Sequence, residues 1–419
     1  MRPPCLSPRS HVLFLLLLLP QHTSALLLPH LRSAVSRAAA PPLVAPLLHP
    51  RATPRAPPAS LFADQAGSLA GALFPASLPP YLLFLYFLCQ DVNGLSDTAK
   101  AGFSSLLLFV AATVVTSIAS VKSYGLSLAN VDWLHGGAEQ LLTYTNIAEV
   151  IGLKLTLDRF SSSSSPSSSP SSPPVVALIG GAAALTLGLT YAAAPSLGAH
   201  AAFLGGVGDL PDAWAAGFAQ PQNALSLPTW VIHLSSLLEW LVAMGLVWRI
   251  GIASGNPRWK GLTWAMIPSH SSGVCACVYH FFYNAESLQF IVLMQAALTL
   301  LGNCTLAYAA WRLAVSNGWS FSLSPSAPYE AASIPSAAAP RDSGEADDTA
   351  RGLLLVLAWS IGGSYAIKYG ETLLPFVKDG DAATLSTAAV LMVAGVTGFN
   401  VWKWSQRSRP GADDFEGLI

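Results

Sequence analysis

Charge is scarce in this chain. Asp, Glu, Lys and Arg make up 10% of its 419 residues, where ordinary soluble domains carry about 25%. A solvated domain with the usual charged surface is therefore excluded. The two signs nearly cancel, to a formal net charge of −1, so there is no basic footprint and nucleic acid is not an expected partner. Cysteine is scarce too: Cys5, Cys89, Cys275, Cys277 and Cys304. Cys5 lies in a segment expected to be removed, and the other four fall in predicted helices. That excludes a disulfide framework and leaves buried, reduced thiols. A GxGxxG turn, a Walker loop, an HExxH pair and a nucleophile elbow are all missing, which argues against an enzyme.

Apolar residues are abundant instead. They make up 52% of the chain, mean hydropathy is +0.49, and apolar runs of about 20 residues recur. The expected fold class is all-α, a multi-pass transmembrane helical bundle. Eight segments are long and apolar enough to cross: 68–89, 101–121, 175–194, 229–250, 262–283, 287–313, 352–369 and 382–404. A ninth, more polar stretch at 126–153 is expected to lie at the interface or re-enter.

Residues 1–63 lack any acidic residue. Arg2 and Arg9 precede the apolar run "HVLFLLLLLP", and small residues follow. That is the build of a signal peptide, and the Arg-, Ser-, Ala- and Pro-rich stretch behind it has transit-peptide composition. Together they resemble the two-part presequence of a complex plastid, reached through the endoplasmic reticulum. The expected organisation is then a first membrane domain at 64–160 and a Ser/Pro linker at 161–174. A second membrane domain occupies 175–315, a disordered linker 316–350, a C-terminal helical hairpin 351–409 and a tail 410–419.

Lys and Arg near helix ends give an orientation. Arg249, Arg258, Lys260, Arg312, Arg351, Lys403, Arg407 and Arg409 fall on one side, facing the stroma, and Asp209, Asp212, Glu286 and the run "KDGD" on the other. Lys122 and Lys154 share the basic side only if 126–153 makes no net crossing. If that stretch crosses, every later loop flips and the rule fails.

Ionisable residues inside a bilayer are costly and face the bundle interior. At 100° per residue they form three stripes. In 126–153, Asp132, His135, Gly136, Glu139, Thr143 and Asn146 share a side. In 229–250, His233, Ser236, Trp240, Met244 and Val247 share a face, with Glu239 on its flank. In 262–283, His270, Gly273, Cys277, His280 and Asn284 share a face that a neighbouring helix should cover, and Cys275 points away.

His270 and His280 lie about 15 Å apart along a helix and cannot hold one ion together. Cys275 and Cys277 face opposite sides. Cys277 and His280 could share a metal only with ligands from another helix, so no metal is expected. No cofactor is expected either. The alternative is axial ligation of haem or chlorophyll, first by His135, where Gly136 and Gly137 leave room, and next by His280. The main expectation is that the histidines, serines, Asn and Glu hydrogen-bond between helices and set their register. In the loop at 251–264, Arg258, Trp259 and Lys260 suit a headgroup region or a partner contact.

From His233 to Leu313, "HLSSLLEW", "GNPRWKGLTW", "CACVYHFFYN" and "GNCTLAYAAWR" resemble a family of integral membrane proteins of cyanobacteria and plastids, catalogued as hypothetical chloroplast reading frame forty-nine. "YGLSLANVDWLHGGAEQLLTYTNIAEVIG" resembles a companion uncharacterised domain, and both in one chain look like a fused form. The resemblance implies a plastid membrane, thylakoid or inner envelope. It implies no mechanism.

Three functions follow. The first is a non-enzymatic protein that scaffolds or helps assemble membrane complexes, with lipid and other plastid membrane proteins as partners. The second is a tetrapyrrole- or carotenoid-binding protein using an intramembrane histidine. The third is a small-solute or ion transporter. The candidate ligand-binding residues are His135, Glu139, Asp132, His280, His233 and Glu239.

Overall fold

The computed structural model describes residues 58–161, 196–211, 220–320, 345–370 and 382–407, with isolated residues at 177–192 and at 214. The expected presequence up to residue 57, most of 175–194, most of both expected linkers, Asp212, the "KDGD" run, Arg409 and the tail lie outside the described residues. Among the described residues the regular elements are helical. Among the described residues, five helical stretches are long and apolar enough to cross a membrane: Gly67–Leu88, Asp97–Tyr124, Leu227–Ala253, Glu286–Ser316 and Ala382–Gln406.

The helices in chain order are α1 Pro58–Ala76, α2 Leu78–Leu88, α3 Asp97–Tyr124, α4 Asp132–Ser161, α5 Leu227–Ala253, α6 Arg258–Ala265, α7 Ile267–Phe281, α8 Gln289–Ser316, α9 Glu345–Gly370 and α10 Ala382–Arg407. Local chemistry sets their ends. Ser96 caps α3, its Oγ accepting from the Ala99 N–H at 3.2 Å. Gly125 closes it in the left-handed region at φ 67°, which costs glycine little. The expected single helix over 262–283 is broken at Met266 into α6 and α7. Pro268 has no N–H to continue the ladder and forces the break.

The chain reverses between α3 and α4, which pack closely. A Cβ at Gly102 would come within 2.7 Å of the Glu149 backbone nitrogen, and one at Gly152 would collide with the Ala99 backbone. Only glycine admits this approach. On its other side α4 packs on α5, and the two run parallel. Contacts climb together from His135–His233 to Thr143–Ser235 and Ser236, then Asn146–Ser236.

The interfacial or re-entrant reading of 126–153 is therefore corrected. These residues enter a 30-residue helix enclosed by α3 and α5. Its polar residues lower its hydropathy, yet they face α5 rather than lipid. The end of α8 joins the α5–α6 turn, Asn256 Nδ2 donating to Ser316 Oγ at 3.0 Å and Asn317 Oδ1 at 2.8 Å. Lys154, Arg159, Arg249, Arg258, Lys260 and Arg312 thus gather toward one end of the bundle. Asp132, Asp209 and Glu286 gather at the other. The charge asymmetry survives with α4 running end to end, and Lys122 alone changes ends.

The core is continuous across the bundle, from Phe84, Leu88 and Leu153 to Trp248, Trp259, Leu262 and Leu313. Trp259 is 1% exposed, so it anchors α6 in the core and does not sit among headgroups. Lys260 lies 5.0 Å over the Trp248 ring, while Arg258 and Arg312 line a groove of about 290 Å³ with Tyr308 and Trp264. Cys89, Cys275, Cys277 and Cys304 are all free thiols.

Candidate metal centre

At the end of the bundle opposite the basic cluster, three helix segments converge. α4 brings His135 from its first turn. α5 brings His233 from its second turn, past Pro228, which starts the helix. α7 brings His280 from its last turn. The three imidazoles are buried at 7%, 6% and 5% exposure. Their rings pack with centroids 5.0 Å apart for His135–His233, 4.7 Å for His135–His280 and 5.0 Å for His233–His280. One ring nitrogen of each lies within 4.8 Å of those of the other two.

His135 Nε2 and His233 Nε2 stand 3.0 Å apart. Two ring nitrogens at that distance need one hydrogen between them or one cation shared by both. Zinc binds imidazole at about 2.0–2.1 Å, which puts two nitrogens on a tetrahedral ion about 3.3 Å apart. The three nitrogens lie up to 4.8 Å apart, wider than that spacing, so ligation needs the side chains to turn and move inward.

His280 is oriented from behind. Its Nδ1 lies 2.8 Å from Asn284 Oδ1. Asn284 Nδ2 is committed as a donor, to the Ala129 carbonyl at 2.8 Å and to Asn130 Oδ1 at 2.9 Å. Its Oδ1 must therefore accept, so His280 Nδ1 carries the proton and Nε2 keeps its lone pair. This is the supporting arrangement that metal-bound histidines use. Asn284 sits at φ 58°, a left-handed conformation that asparagine tolerates better than most residues. Asn130 Oδ1 also accepts from Asn223 Nδ2 at 3.1 Å.

The other candidates have different places. Asp132 clamps backbone, since Oδ2 accepts from Phe203 N–H at 2.7 Å and Oδ1 from Ser226 N–H at 3.0 Å. Both oxygens are taken, so it supplies nearby negative charge and not a ligand. Glu139 and Glu239 are not in the three-histidine set. His270 is buried ten residues back along α7, and its Nδ1 has no hydrogen-bond partner. Gly273 faces Leu237 on α5, 2.9 Å from where its Cβ would stand. Cys277 and His280 do not share a ligand set, because His280 meets His135 and His233. The room expected beside His135 is filled. A Cβ at Gly136 would lie 2.6 Å from the Phe203 ring and from Thr229 Oγ1.

One group was missed from sequence. Glu149 is 1% exposed on α4, and neither carboxylate oxygen has a hydrogen-bond partner. Glu239 on α5 is 4% exposed, with one oxygen likewise unpaired. Position 149 is three residues beyond Asn146 on the expected polar stripe, which was the available signal.

Comparison with known proteins gives two family matches. Residues 224–312 match the family described as protein of unknown function DUF2499. Residues 70–158 match protein of unknown function DUF3593. The Ycf49-like protein of Synechocystis sp. is 49% identical over 89 residues, which are 21% of this chain and 86% of that protein. The uncharacterised protein ycf49 of Cyanophora paradoxa is 37% identical over 87 residues, 21% of this chain and 85% of that protein. No solved structure matches. These relatives and the apolar helices fit a plastid membrane protein. By this likeness the chain belongs to the Ycf49-like family.

Proposed function

We propose that this is a non-enzymatic plastid membrane protein that binds one divalent transition-metal ion between helices α4, α5 and α7, and serves as a scaffold in assembling membrane complexes. The observation that carries the reading is the convergence of His135, His233 and His280, with His280 held in the tautomer that presents Nε2. Three neutral imidazoles suit zinc and its neighbours in the first transition row and leave a fourth position open. The ion would replace several weak interhelical bonds by one strong joint. The broad apolar surfaces, such as Val114, Ile118, Leu391, Met392, Val396 and Phe399, all more than half exposed except Ile118 at 49%, suit lipid or neighbouring membrane proteins. The finer placement belongs to the same reading: eight membrane crossings by apolar segments, a two-part presequence and residence in the thylakoid or inner envelope.

The test is elemental analysis of the purified full chain. About one ion per chain is expected, lost in His135→Ala, His233→Ala and His280→Ala. An absorption spectrum with a Soret band, or no bound metal at any loading, overturns it.

A second reading, ion transport, is favoured by Glu149 and Glu239, buried carboxylates with unpaired oxygens on the two facing helices. Metal- or proton-driven flux into liposomes, abolished in Glu149→Gln, would establish it.

A further inference from the structure

The two family matches share no residue and are separated by 159–223, which contains the Ser/Pro run at 161–174. Each covers about 90 residues. The Synechocystis and Cyanophora relatives are only about 100 residues long, because matches of 89 and 87 residues already cover 86% and 85% of them. A chain of that length holds one such segment and not both.

The histidine cluster does not respect this division. His135 lies in the segment 70–158, and His233 and His280 lie in 224–312. The supports are divided in the same way. Asn284 of the second segment is anchored on Ala129 and Asn130 of the first, and Asp132 of the first accepts from Ser226 of the second. Thr143 meets Ser235 and Ser236 at 3.2 Å.

On the far side, Asn303 Nδ2 donates to the Ser77 carbonyl at 2.9 Å, where α2 lies along α8. α2 packs more extensively on α8 of the other segment than on α3 of its own. Polar groups that find their partners only across a boundary, within a shared apolar core, are how a specific permanent subunit interface is built.

We propose that residues 70–158 and 224–312 are two subunits joined in one chain, and that the three-histidine cluster is a site of their interface, complete only when both are present. The partner that such a second segment takes, when it stands alone, is then a separate chain built like residues 70–158. That partner supplies the third imidazole and the Asn130 and Asp132 supports. The proposal rests on the histidine geometry of the metal reading, but its readout does not require an ion.

The experiment uses the full chain with a specific protease site placed in the 161–174 run. The protein is purified in detergent, cut after folding and passed over a sizing column. The fragments are expected to co-elute and to keep the metal content of the uncut chain. In the cut protein, Asp132→Ala combined with Asn284→Gly is expected to shift at least half of the fragments to separate elution. Separation of the unsubstituted fragments on cutting, with metal present in the uncut chain, overturns this proposal and leaves the metal reading standing. Co-elution without metal in either form does the reverse. Co-elution that the double substitution does not weaken also overturns the proposal, since the polar contacts would then not specify the interface.

Discussion

Asn284 and His280 are four residues apart and share a 2.8 Å hydrogen bond from the imidazole Nδ1 to the amide Oδ1. The direction of that bond follows from the two bonds Asn284 Nδ2 donates elsewhere. Replacing the amide while sparing the left-handed backbone isolates its effect. Asn284→Gly is expected to keep the fold and weaken metal binding about 10- to 100-fold, the usual cost of losing a histidine's support. Competition against a chromophoric chelator measures it, and unchanged affinity counts against the orienting role.

Protons compete with an ion for imidazole lone pairs. Free imidazole takes up its proton near pH 6.5, and binding by three of them then weakens as pH falls. Metal occupancy is expected to hold at neutral pH and to fall in acid, by up to about tenfold per imidazole per pH unit once each protonates. Occupancy measured after equilibration from neutral pH into acid checks the sign. Release on raising the pH instead would contradict histidine ligation.

Asp132 satisfies the buried N–H groups of Phe203 and Ser226. Asp132→Ala leaves both unpaired, at about 1–3 kcal/mol each. A loss of about 2–6 kcal/mol is expected in reversible unfolding from detergent. Asp132→Asn keeps one acceptor and should lose about half of that.

Gly152 and Gly71 make a paired test of helix approach. Gly152→Ala drives a methyl into the Ala99 backbone across the α3–α4 contact, and a cost of about 1–3 kcal/mol is expected. Gly71 has nothing within 4 Å of its missing Cβ, so Gly71→Ala should be neutral or stabilise by up to about 1 kcal/mol. Thermal unfolding of both variants in one detergent compares them.

Much of the bundle was legible in sequence because bilayer thickness imposes a length and an apolar composition on each crossing. The stretches found at 97–124, 227–253 and 286–316 overlap their expected counterparts closely. Helical periodicity also put His135, Asn146, His233 and His280 on inward faces. It misjudged 126–153, because a hydropathy window counts polar residues without knowing what they face. It misjudged Trp259 for a similar reason, since a tryptophan beside two basic residues reads the same whether its ring meets headgroups or a core.

Along one helix, spacing is a complete argument: it sets His270 and His280 about 15 Å apart and turns Cys275 and Cys277 to opposite sides. Between helices, spacing says nothing. His135, His233 and His280 are 98 and 47 residues apart along the chain, and they meet because α4 packs along α5 and the last turn of α7 brings His280 against both. The amino-acid sequence by itself determined a membrane-bound, helical, polar-striped chain, since those properties are local and are enforced by the solvent. Which stripes touch, and that three of their imidazoles share one point, was decided only by packing, which is a property of the whole bundle.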